Sequence, residues 1–243
     1  MGVLMIATAF VVSPSSADAT AILDGNMNTR SMASDKVAYL NYVEEKASFK
    51  VVNSSFSSVS TFIMPVRLDD ISWGHRDVGM HFHPVYNVWR FHNGDDLGEP
   101  KDTPLYAVMD GEITEAFFNV TADETGANGG AGNYVTIKNG DVYVTYMHLN
   151  YGKYANLVSV GDIVNQGDMI AAVGDTGTST GAHLHIRVQV ITSTGETRYY
   201  EPKEVFTNDI PIESMNYKLY GSDNVYNSAG QMIGTETCST CGG

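Results

Sequence analysis

The chain has 243 residues, with 14 Lys plus Arg against 28 Asp plus Glu and a formal net charge of −14. That balance argues against nucleic acid as the partner, since phosphate binding draws on clustered cations, and against electrostatic docking onto anionic lipid. The apolar fraction of 43% suits a packed core, and both cysteines, Cys238 and Cys241, fall at the C-terminus, so a metal in the body of the protein is held by His, Asp or Glu.

Residues 1–19 read as a secretory leader. The run from Val3 to Val12 is apolar, and Ala17-Asp18-Ala19 has the small-x-small form of a cleavage site, although no Lys or Arg precedes the run. The run is too short to span a bilayer, which takes about 20 apolar residues, so no stable membrane insertion is expected once the leader is removed. Residues 20–68 form a spacer with one capped helix. Ser34-Asp35 precedes it, and Val37 and Leu40 follow at helical spacing.

From about residue 63 the texture changes to short apolar runs punctuated by Gly, Asp and Asn, the pattern of an antiparallel β domain. Residues 103–113 give a strand, a turn and the start of another strand. Residues 120–132 form a longer insertion that borders a groove. Tyr134 to Lys138, the turn Asn139-Gly140-Asp141, and Val142 to Leu149 read as a hairpin. Two Gly-Asp turns, at 161–162 and 167–168, imply short strands doubling back. Residues 207–243 read as a polar tail. Its single C-x-x-C cannot close a tetrahedral metal site alone.

The most informative stretch is 174–190, where a small-residue loop leads into a strand carrying His183 and His185. Side chains alternate across a strand, so Leu184, Ile186, Val188 and Val190 face a core while His183, His185, Arg187 and Gln189 face the other way. Paired imidazoles on a polar face suit a metal or catalytic site. Seven histidines are present, and context ranks them. His92 and Asp96 stand four residues apart around a permissive Gly94, and both residue types are good zinc ligands. His81 and His83 form a competing i, i+2 pair, kept as a second-choice ligand set or groove lining because Pro84 follows at once. His148 lies at the end of the second hairpin strand.

Taken in order, His92-x3-Asp96, Tyr146-Met147-His148-Leu149, the paired Gly-Asp turns and residues 174–185 resemble the lysostaphin-like (LytM-type) zinc endopeptidases that cut peptidoglycan peptides. The resemblance covers about residues 70 to 205. It implies a mainly β, antiparallel sandwich or barrel-like metallopeptidase domain over 69–206, preceded by the short helical segment. It implies Zn2+ held by His92, Asp96 and His185, with His148 and His183 as the catalytic pair, peptidoglycan peptides as substrate, and work outside the membrane. The chain lacks the H-E-x-x-H of other zinc proteases, so histidine, with its ordinary pKa near 6.5, takes the place of their glutamate base. The acidic balance departs from the family's usual basic surface. All five positions are intact, which favours an active enzyme over a non-catalytic wall-binding or hydrolase-activating module of the same fold.

Overall fold

The computed structural model describes residues 61–66, 72–74, 77–83, 86–121, 124–152, 154–208 and 210–236. The expected leader, the helix after Ser34-Asp35, His75 and both cysteines lie outside the described residues. In chain order the strands begin with β1 (Gly79–His83), β2 (Val88–His92), β3 (Asp95–Leu97), β4 (Pro104–Tyr106) and β5 (Gly111–Phe117). They continue with β6 (Asn133–Asn139), β7 (Val142–Leu149), β8 (Ile163–Val164), β9 (Met169–Ala172), β10 (Leu184–Ile191) and β11 (Thr197–Tyr200). A short helix, α1 (Pro202–Thr207), precedes β12 (Tyr217–Leu219), β13 (Asn224–Tyr226) and β14 (Met232–Thr235).

Ten of these strands form one antiparallel sheet in the order β14-β13-β12-β11-β10-β7-β6-β5-β8, with β3 joined to β10 beside that path. Strand β10 is its hub. Along one edge it pairs with β7 from His185 to Val190. Its other edge is divided: β3 takes residues 184–186 and β11 takes over from Val188. The expected alternation holds, with Leu184, Ile186 and Val188 fully buried and Arg187 and Gln189 half-buried on the opposite face. Register is thereby fixed, because a one-residue slip would expose three aliphatic side chains worth roughly 1.5–3 kcal/mol each in burial.

Beneath the buried face lie Leu97, Leu105, Ile113, Ile137, Val144 and Tyr146, all fully buried. The Tyr146 hydroxyl is satisfied inside the core, accepting from Val108 N at 2.9 Å and donating to Tyr106 O at 3.0 Å. The two Gly-Asp turns dock identically. Gly161 N donates to Ile113 O while Ile113 N donates to Asp162 O, and Gly167 and Asp168 embrace Ala107 in the same way, all at 2.8 Å. Both glycines take positive φ, 94° and 92°, and each Asp carboxylate accepts a backbone N–H three residues earlier at 2.8 Å.

Three features differ from expectation. In the β6–β7 hairpin, Asn139 still pairs with Val142, so the turn residues are Gly140 and Asp141, with only Gly140 at positive φ. The domain also begins earlier than residue 69: Phe62, Ile63, Met64 and Val66 are buried, and Ile63 N donates to Val108 O. Finally, residues 207–236, expected as a polar tail, carry β12–β14 and extend the main sheet. Tyrosines take the place of aliphatics there, with Tyr217 stacked on Tyr226 at 5.6 Å and Arg198 lying over Tyr217 at 4.4 Å.

Candidate active site

The pairing of β3 with β10 sets Asp96 opposite His185, and the pairing of β7 sets Met147 opposite His185 from the other side. Asp96 Oδ1 lies 2.9 Å from His185 Nδ1 and 3.3 Å from His92 Nε2. The sharp bend between His92 and Asp96 requires Gly94, since a Cβ there would collide with the Ile186 carbonyl and come within 2.7 Å of His185 Nε2. Hydrogen bonds fix the orientation of each ring. His92 Nδ1 donates to Asp77 O at 3.2 Å, and His185 Nε2 donates to Asn93 Oδ1 at 3.0 Å. The lone pairs of His92 Nε2 and His185 Nδ1 are therefore directed at the Asp96 carboxylate.

One donor atom from each of His92, Asp96 and His185 lies within 4.8 Å of the others. A tetrahedral ion with bonds of about 2.0–2.1 Å holds its ligand atoms roughly 3.3 Å apart, close to the two separations measured here. Two imidazoles and a carboxylate, with no thiolate, suit a divalent ion of zinc type and leave a coordination position for water. Burial pushes the Asp96 carboxyl up, but the His185 and His92 rings beside it override that and hold the group well below the usual range. His185 is pushed down to about 4 by burial, so it is neutral and available as a donor of electrons at pH 7.

His148 and His183 close the other side. Their ring centroids are 4.7 Å apart, and His148 lies 6.0 Å from His185. His148 sits where the β6–β7 register shifts, opposite the step from Asn133 to Val135, with φ at 57°. A bulge of this kind re-aims a side chain. Its N–H donates to Ala131 O at 2.9 Å and its ring Nδ1 to Thr176 O at 2.9 Å. Burial, followed by the neighbouring His183 and His185, lowers its pKa to about 3. His183 Nδ1 donates to Gly181 O at 2.8 Å, and its Nε2 lies 3.8 Å from Asp96 Oδ1. Both rings are thus Nδ1–H tautomers, with Nε2 carrying the lone pair.

All five residues singled out in the sequence converge. The competing pair does not join them. His81 is buried edge-on against His92 with centroids 5.7 Å apart, but it donates to Asp77 O at 2.8 Å and stays outside the donor set, while His83 packs on Tyr86 with centroids 4.6 Å apart. The expected insertion does border the site: Gly130 O accepts from Thr178 N, and Ala131 O holds His148. Asn93 and the carbonyls of Asp77, Thr176 and Gly181 were not foreseen. A carbonyl has no residue-specific signal, whereas Asn93 could have been suspected from its place in the His-Asn-Gly turn.

Residues 90–199 match the sequence profile of Peptidase family M23. This segment is an M23 domain. It contains all five converging side chains and starts within β2, so β1 precedes it and β12–β14 follow it. Over 167 residues the chain is 30% identical to peptidoglycan DD-endopeptidase ShyC of Vibrio cholerae, a match covering 68% of this chain and 31% of that protein. It is 37% identical over 113 residues to DD-carboxypeptidase/endopeptidase Mpg of Neisseria meningitidis, covering 46% of this chain and 23% of that protein. The chain thus spans under a third of the length of these curated relatives. Among solved structures, the catalytic domain of lysostaphin from Staphylococcus simulans is 28% identical with a TM-score of 0.42, covering 55% of this chain and 90% of that one. Among the described residues, no helix is long and apolar enough to cross a membrane.

Proposed function

We propose that the M23 domain is the catalytic unit of an exported zinc-dependent endopeptidase that hydrolyses peptide bonds in peptidoglycan cross-links or bridges. The observation that carries this reading is the convergence of two pre-oriented histidines, His148 and His183, on the His92–Asp96–His185 cluster. The leader-like residues 1–19 support export, and the relatives named for action on peptidoglycan support the substrate class. His92, Asp96 and His185 would hold the zinc ion, which would supply activation of a water and polarisation of the scissile carbonyl.

The remaining work falls to side chains of this chain. One Nε2 lone pair, on His148 or His183, takes the proton of the attacking water and gives it to the leaving amine as the peptide C–N bond breaks, while the other ring orients that water or, once protonated, stabilises the oxyanion. Tethering of both Nδ1 atoms to backbone carbonyls holds the rings in place, so little reorganisation accompanies the reaction.

The test is mass spectrometry of peptides released from isolated cell walls with different bridge types. Zinc-loaded protein should create new peptide termini, a chelator should stop this, and added zinc should restore it. His148→Ala and His183→Ala should each lose about 100-fold or more in rate while retaining zinc. Walls left intact by zinc-loaded wild type would sink the proposal. Zinc loss in His183→Ala would mean that the roles within the His-x-His pair are exchanged.

A further inference from the structure

The sheet face that presents His185 continues away from the metal cluster, and the next residue on it is Arg187. Successive same-face positions on a strand lie about 6.6 Å apart, so this guanidinium is rooted beside the cluster. Its row runs straight across four strands: Arg187 pairs with Thr145, Thr145 with Thr136, and Thr136 with Glu115. The side chains form one hydrogen-bonded file. Arg187 Nη2 donates to Thr145 Oγ1 at 3.0 Å, Thr145 Oγ1 and Thr136 Oγ1 are 3.0 Å apart, and Thr136 Oγ1 donates to Glu115 Oε2 at 2.7 Å. Arginine can only donate and a carboxylate can only accept. Every proton in the file therefore points from Arg187 towards Glu115, and Thr145 donates to Thr136.

This arrangement aims the guanidinium without giving it an ion pair. Among the described residues no carboxylate lies within ion-pair reach of Arg187, whose one hydrogen bond is to a neutral hydroxyl. Its Nε is buried without a partner, and Nη1 makes no bond. Glu115 stands at the far end of the file, joined to the guanidinium only through two hydroxyls, so it offsets the charge in part without pairing with it. In a chain of net charge −14, a half-buried cation with no ion pair and an unpartnered Nε beside the candidate metal cluster calls for an anion from outside. A guanidinium's planar fork matches a carboxylate.

We propose that Arg187 is a specificity-determining residue that binds a carboxylate of the peptide substrate, one or two residues from the scissile bond. The proposal rests on reading the site as a peptidase of peptidoglycan peptides. An extended substrate advances about 3.3 Å per residue, which sets that spacing. The carboxylate belongs either to the substrate's chain terminus or to one of its side chains, and both sources present the same chemistry to the fork.

The experiment uses the full chain and three synthetic cross-linked stem peptides: one with all carboxylates free, one amidated at the terminus, and one amidated on the side chain. Wild type should lose about 10–100-fold in kcat/KM on one amidated peptide, which identifies the source. Arg187→Gln should cut the free peptide as poorly as wild type cuts that amidated one, and should be indifferent to the amidation. Arg187→Lys should recover part of the preference. Calorimetric binding of the same peptides to metal-free protein reads the carboxylate preference without turnover. Cleavage of none of the peptides, with a carboxylate preference in binding that Arg187→Gln abolishes, would overturn the peptidase reading and leave Arg187 as a carboxylate site. Equal losses by Arg187→Gln on free and amidated peptides, or wild-type binding blind to amidation, would overturn the proposal and make Arg187 a structural member of the sheet.

Discussion

Each imidazole in the cluster has one nitrogen tied to a fixed acceptor and the other turned inward. For three of the four rings the acceptor is a backbone carbonyl; for His185 it is the side chain of Asn93. That difference makes Asn93 the tether open to mutation. Removing an outer partner of a metal-binding histidine typically costs 10–100-fold in affinity. Asn93→Ala should weaken zinc binding by about 10-fold in competition with a chelator, and Asn93→Asp should restore it. Unchanged affinity in Asn93→Ala would remove this residue from the account. His148 is a second case at this scale. Its folded pKa of about 3 lies below its ordinary 6.5 because burial disfavours the charged ring. Between these values the unfolded chain binds more protons than the folded one, so stability is complete above pH 6.5 and is lost as pH falls towards 3. Thermal melts of metal-free protein should therefore fall between pH 6.5 and 4, and His148→Gln should flatten that slope by up to one proton.

Strand β10 shows why some elements can be read in a sequence and others cannot. Its buried face writes a period of two into the residues from Leu184 to Val188, and the same alternation places His185 and Arg187 on the open face. The bulge at His148 leaves no such mark. A positive φ at a non-glycine residue is imposed by its surroundings, here the Ala131 and Thr176 carbonyls, at a cost of about 1–3 kcal/mol. Those carbonyls belong to two loops that meet at glycines. Gly177 has φ of 76°, and a Cβ on it would collide with Gly132 N and come within 2.5 Å of Gly130 O. Gly177→Ala should destabilise the protein by about 1–3 kcal/mol in denaturant melts. It should also depress activity, because Thr176, which holds the His148 ring, is the adjacent residue. Wild-type stability and rate in that variant would mean that the loops do not brace the site. Strands β12–β14 escaped notice for another reason. They are short and near the sheet edge, with Tyr217 and Val225 buried, and tyrosine-rich polar sequence can meet so small a demand without a run of aliphatics.

For the molecule as a whole, the five side chains that converge were legible because their types and order suit metal and proton chemistry, whereas their support was not, because much of it is backbone. Against the acidic balance of the chain stands the half-buried Arg187, on the same face of β10 as His185. The division of β10's second edge between β3 and β11 also bears on how the protein persists. Asp96 and His185 face each other across strands but are 89 positions apart in the chain. A denatured chain that offered both to one ion would have to close that loop, at an entropic cost of about 4 kcal/mol. Ions thus associate with the folded state and scarcely at all with the unfolded one, so binding free energy becomes folding free energy. At a free ion concentration 100 times the dissociation constant this amounts to about 2.7 kcal/mol. On the proposed reading, withholding that ion would shorten the protein's lifetime against proteases as well as stop its chemistry.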